Sequence, residues 1–171
     1  MELQALIDRL TMAMIDFDKG DTMRIQHFLK VHRFAQLIGH SEHLDDHTQM
    51  ILESAAVVHD IGIHPAEAKY GNCNGKLQEQ EGPAPARKML TELGYNSDDT
   101  ERICYLIAHH HTYHPIDGMD YQILVEADFL VNFFEDNIPA NSVAYTLNKI
   151  FKTATGKKIA ELMFLEKYEK P

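Results

Sequence analysis

In Ile51-Leu-Glu-Ser-Ala-Ala-Val-Val-His-Asp-Ile-Gly-Ile63 an apolar, core-type helical segment carries an imidazole and a carboxylate side by side, His59 and Asp60. A buried charge without a partner costs several kcal/mol or shifts its pKa until it is neutral. The cheapest compensation for a carboxylate beside a neutral imidazole is a bound cation. Two further polar residues interrupt apolar faces elsewhere: His27 between Arg24 and Gly39, and Asp128 in Leu124-Val-Glu-Ala-Asp-Phe-Leu130. Together they form a set of four candidate metal ligands, ordered His, His-Asp, Asp.

The surrounding periodicity is helical. Leu3, Leu6, Ile7, Leu10, Met14 and Phe17 mark a first helix, and Lys19-Gly20-Asp21 supplies a stop followed by an N-cap. A second helix over about Thr22 to Ile38 puts His27, Val31, Phe34, Ala35 and Ile38 on one face. Asp46-x-x-Gln49 resembles a capping box opening a third helix that breaks at Gly62, with His59 and Asp60 on its last turn. Residues His64 to Gly82 contain Pro65, Gly71, Gly75 and Gly82 with little periodicity, and read as a long connection and candidate substrate loop. Further helices are expected over Pro83 to Leu93, from Ser97 or Asp98 toward Pro115 with His110 on the apolar stripe, and over Tyr121 to Glu135. Two more are expected near Asn141 to Phe151 and Gly156 to Tyr168. With no convincing strand hairpin and no repeat, the expected fold is an all-α, single-domain helical bundle. Its motif-bearing core covers about 22–134 and its C-terminal helices 139–169.

Composition agrees. A chain of 171 residues builds one domain with a substantial core, and 44% hydrophobic with 25% charged residues is ordinary for a globular protein. The 26 acidic against 16 basic residues, net −10, repel a polyanion and exclude a nucleic-acid polymer as partner. A small phosphorylated ligand stays compatible, because a metal and a few lysines invert the field locally. Cys73 and Cys104 lack C-x-x-C spacing, which argues against a disulfide framework or zinc ribbon and for a reducing, cytoplasmic setting. The N-terminus shows no signal-peptide pattern and no run approaches a membrane span.

His27, then Val57-Val-His59-Asp60-Ile-Gly62, then Glu126-Ala-Asp128-Phe-Leu130 resembles the HD-domain superfamily of metal-dependent phosphohydrolases, over about Thr22 to Phe134. Mixed imidazole and carboxylate ligands suit Mn, Fe, Co, Ni or Zn as the divalent ion. Several HD families bind a second metal through two more histidines between the His-Asp pair and the final Asp. Where the HD-type diadenosine-tetraphosphate hydrolases and the cyclic-di-nucleotide phosphodiesterases have the first of these, this chain reads Glu81-Gly-Pro-Ala-Pro-Ala86. Glu81 is therefore a substituted candidate, although an acid at a helix start also satisfies free backbone donors. The second falls in Leu106-Ile-Ala-His-His-His-Thr112, where His110 is favoured and His111 is its neighbour.

One or two metal ions are thus implied, with Asp60 as the catalytic carboxylate bridging them. Coordination would lower the pKa of water from about 15.7 toward about 7 for attack on phosphorus. Ile63 replaces the lysine of His-Asp-Ile-Gly-Lys, and the Gly-Tyr-Pro signature of the cyclic-di-nucleotide branch is absent, so that branch's substrate is not carried over. Lys69, Tyr70 and Lys76 are the candidate substrate contacts, with Lys69 preferred for the phosphate. The substrate expected is a small phosphorylated molecule, in the first place a nucleotide. Two other classes compete: an HD-type diiron oxygenase, and a non-catalytic metal or nucleotide sensor. The apolar stripe Ile159, Leu162, Met163 and Leu165 either closes the core or joins two subunits of a homo-oligomer.

Overall fold

The structure, a computed structural model, describes residues 2–166, which form helices and turns with no strand. Tyr168, the expected end of the last helix, lies outside the described residues. The N-terminal helix α1 (Glu2–Phe17) ends in a turn where Gly20 takes φ +90°, backbone that a glycine adopts without strain. Asp21 then caps α2 (Thr22–Ser41) by accepting from the Arg24 N–H. One stripe of α2, His27, Phe28, Val31, Ala35 and Ile38, is buried.

At the centre lies α3 (Asp46–Val58), which is buried at every position from Gln49 to Val58. Its cap is Asp45, one residue before the expected box, accepting from the His47 and Thr48 N–H groups. The helix stops at Val58, so His59 and Asp60 stand just past it in a turn closed by Ile61 N–H to Val58 O at 3.1 Å. Around α3 pack α1, α2, α7 (Ser97–Ile107) and α8 (Met119–Glu135). Like α3, α7 ends early, and His110 occupies the turn beyond it rather than the helix itself.

The expected loop from His64 to Gly82 is instead two short helices, α4 (Ile63–Tyr70) and α5 (Gly75–Glu81). Only Ile63 and Ala66 are buried on α4 and nothing on α5, a hydrophobic stripe too short to register as a period. Gly71, with φ +72°, ends α4, and Asn74 caps α5 through the Leu77 N–H. The next helix, α6 (Pro83–Leu93), has the expected bounds and packs on α7.

Past α8, α9 (Ala140–Ile150), α10 (Ala154–Ala160) and a π-helical turn (Glu161–Leu165) close the chain. Buried Glu126 of α8 fastens them: the Lys152 and Thr153 N–H groups donate to its carboxylate at 2.6 and 3.0 Å, joined by the Gln122 amide at 2.7 Å and the Thr153 hydroxyl. Leu162 and Met163 stay exposed, while Ile159 packs against the core. No helix among the described residues is long and apolar enough to cross a membrane.

Candidate metal centre

α2, the turns after α3 and α7, and the middle of α8 bring His27, His59, Asp60, His110 and Asp128 to one point. His27 Nε2 lies 3.2 Å from Asp128 Oδ1, 3.4 Å from Asp60 Oδ2 and 3.3 Å from His59 Nε2. His59 Nε2 lies 3.4 Å from the same Asp60 oxygen and 3.6 Å from Asp128 Oδ1. The other Asp60 oxygen, Oδ1, faces His110 Nε2 at 3.5 Å. Two groups of possible ligand atoms therefore share Asp60: one with His27 and His59, the other with His110 and His111.

Local folding sets which nitrogen each ring presents. His59 Nδ1–H donates to Ala56 O at 2.9 Å and His110 Nδ1–H to Ile107 O at 2.8 Å. Both use the carbonyl three residues back, which the end of a helix leaves free. His27 Nδ1–H donates to Glu135 at 2.7 Å, and Lys30 holds the other oxygen of that carboxylate. Each ring's outer nitrogen is thus committed as donor, which leaves the inward Nε2 with a lone pair in the neutral imidazole. His111 is turned the other way. The Gln78 amide donates to Cys73 O at 2.7 Å, so its oxygen faces His111 Nε2 at 2.9 Å and takes that N–H. The lone pair of His111 is then on Nδ1.

The electrostatics call for positive charge. Burial opposes a charged His27, but its hydrogen bond to Asp128 and the nearby Asp60 and Glu135 carboxylates outweigh this and push its pKa up to about 9. Burial likewise opposes the charged carboxylates. The charges and hydrogen bonds of His59, His110 and His27 nevertheless hold Asp60 well below the usual range, and His27 and His59 do the same for Asp128. Burial, helped by His110, pushes His111 down to about 4, so it is neutral. Anionic carboxylates are the ligand state a divalent ion needs, and an ion bound at His27 Nε2 would take the place of the proton that these carboxylates favour. Within the cluster the buried His110 Nε2 has no hydrogen-bond partner. The donor set fits one or two ions of the imidazole-carboxylate type.

A cavity of about 240 Å³ opens on this cluster, with Arg24, Gln78, His111, Asn132 and Glu135 in its wall. Glu81 is not brought to the cluster. Its half-buried carboxylate instead accepts from Lys69 at 3.0 Å and Tyr70 at 2.9 Å. Lys69, Tyr70 and Lys76 do not line the cavity, because α4 and α5 turn them outward. The residues missed by sequence reasoning are Arg24, Gln78, Asn132 and Glu135. Asn132 and Glu135 continue the Asp128 stripe at i+4 and i+7, a readable signal, and Asn132 donates to Asp128 Oδ1 at 2.9 Å. Nothing in the local pattern singles out Gln78.

A buried His, His-Asp, Asp cluster at the centre of a helical bundle defines a helical domain whose side chains could hold a metal ion. The HD domain family matches residues 24–151, and the chain belongs to that family. The crystal structure of a predicted HD superfamily hydrolase from an uncultured Thermotogales bacterium is similar, at 26% identity and a TM-score of 0.61, over 92% of this chain and 82% of that one. No curated protein matches. Family, neighbour and ligand cluster together support a metal-dependent hydrolase of the HD superfamily.

Proposed function

We propose that the protein hydrolyses a phosphate ester or anhydride of a small molecule, in the first instance a nucleotide, in a reducing cytoplasm where Cys73 and Cys104 remain free thiols. The observation that carries this reading is the split of Asp60, with one oxygen on the His27–His59 side and the other on the unpartnered His110 Nε2. His27, His59, Asp60 and Asp128 would hold one divalent ion, and Asp60, His110 and His111 a second. Bound there, such ions supply Lewis acidity toward phosphate oxygens and a water of lowered pKa.

The chain's own residues prepare the site. Glu135 and the Ala56 and Ile107 carbonyls fix three imidazoles, and Gln78 fixes the fourth. Arg24, in the cavity wall and paired with Asp21 and Glu67, takes the phosphate-contact role in this reading in place of Lys69. Lys69 and Tyr70 with Glu81 brace α4 against α5.

Metal analysis of gently purified wild type, His59→Ala and His110→Ala, beside phosphate release from phosphomonoesters and nucleotides, tests this. Two equivalents in wild type, about one in His110→Ala, and a more than about hundredfold loss of phosphate release in His59→Ala are expected. Absence of metal after reloading, or iron with oxygen uptake and no phosphate release, overturns it.

A further inference from the structure

We infer that a second cavity, walled by Tyr113, Phe129, Tyr145, Thr146 and Lys149, binds the aromatic base of a nucleotide whose phosphate enters the metal cavity. The position given to the phosphate rests on the phosphohydrolase reading; the binding of the base does not. The metal cavity, about 240 Å³, is smaller than the roughly 300–1,000 Å³ of sites that enclose a whole small ligand. It has room for the reacting group, and the remainder of the substrate must lie beyond it. The second cavity, at about 580 Å³, falls inside that range.

The same two segments line both cavities, through different residues. The turn after α7 gives His111 to the first and Tyr113 and His114 to the second; α8 gives Asp128 and Asn132 to the first and Phe129 to the second. Adjacent helix residues point about 100° apart on a cylinder roughly 10–12 Å across. The cavities therefore open on adjacent faces of one helix, and in this inference the sugar of the nucleotide runs between them.

The chemistry of the second cavity is that of a base site. The Tyr113 and Phe129 rings sit 5.1 Å apart, and Tyr145 on α9 stands 66% exposed at the rim with the Lys149 ammonium over its ring, an exposed aromatic of the kind on which bases stack. Lys149 Nζ lies 3.5 Å from the Tyr145 hydroxyl and supplies N–H donors for a ring nitrogen or carbonyl. The Thr146 hydroxyl spends its proton on Ser142 O at 3.0 Å, and its lone pairs can accept from an exocyclic amine. Planar aromatic walls with one donor group and one acceptor group match an uncharged heterocycle carrying both functions.

Calorimetric titration of the whole protein with adenosine, guanosine, cytidine and uridine, and with ribose as control, reads this site without any turnover. Saturable binding of at least one nucleoside, absent for ribose and weakened at least about fivefold in Tyr145→Ala and in Lys149→Ala, is expected. Both side chains are exposed, so the variants fold. No nucleoside binding, binding unchanged in Tyr145→Ala, or Tyr145→Ala merely splitting a dimer overturns the inference. Phosphate release from ribose 5-phosphate, measured in parallel, needs only the metal cavity. Failure to release phosphate from ribose 5-phosphate and from every nucleotide mono-, di- and triphosphate tried, with nucleoside binding intact, sinks the hydrolase reading alone.

Discussion

A buried nitrogen with no partner, such as His110 Nε2, is a cost that folded proteins rarely leave standing. Its companions carry the same message, since His27 Nε2 and His59 Nε2 face each other at 3.3 Å, an approach that only a proton or a metal between lone pairs makes favourable. These residues were legible in the sequence because each puts a polar group where the helical period demands an apolar one. Glu81 was chosen by spacing relative to a family pattern, without such a violation, and it sits on the surface with Lys69. Gln78 broke no pattern and could not be found. At this scale Glu135 is the informative residue to change. Glu135→Gln keeps an acceptor for His27 but removes the charge that favours an electron-rich imidazole, so divalent-ion affinity should fall about 10- to 100-fold in a metal titration, with little change in the circular dichroism spectrum.

Among the elements, α5 is placed by close approaches that only missing side chains allow. A Cβ on Gly62 would stand 2.4 Å from Gln78 O and 2.8 Å from Gly82 N, and one on Gly75 would stand 2.8 Å from the His111 ring. In the sequence Gly62 reads as a helix stop and Gly75 as loop punctuation; in the structure they are the sockets that seat α5 over the histidine turn. Long helices such as α2, α6 and α8 were legible because each carries a buried stripe over several turns, whereas α4 and α5 draw their order from contacts that periodicity cannot register. Gly62→Ala should destabilise the fold by about 1–3 kcal/mol, since the clash is with backbone that cannot rotate away. The accompanying signature is faster hydrogen exchange across 75–81; an unchanged melting temperature would contradict the seating.

For the whole molecule, acid strengthens one site. Burial pushes the Asp18 carboxyl up to about 6, against the pull of His64 and Arg24. The folded chain then binds more protons than the unfolded one between about pH 4 and 6, so this contribution to stability is present at low pH and is lost as pH rises toward 6. Asp18→Asn should raise stability at pH 7 by at most about 3 kcal/mol and flatten the slope between pH 4 and 6 in denaturant titrations. Glu126 ties the molecule together over a longer range, because its partners come from the far end of the fold. A fragment ending at residue 134 would bury that carboxylate without Lys152 and Thr153, a loss of about 3 kcal/mol or more that should appear as a molten or insoluble product.

The same arrangement orders events in time. Domains take shape as the chain leaves the ribosome, and the donors that lock Glu126 follow it by 26 and 27 residues. Asp128, two residues along the same helix, is therefore held in register late in synthesis. A nascent chain exposes His27, His59 and Asp60 well before Asp128 is fixed, so the cluster is complete only when the C-terminal helices have docked.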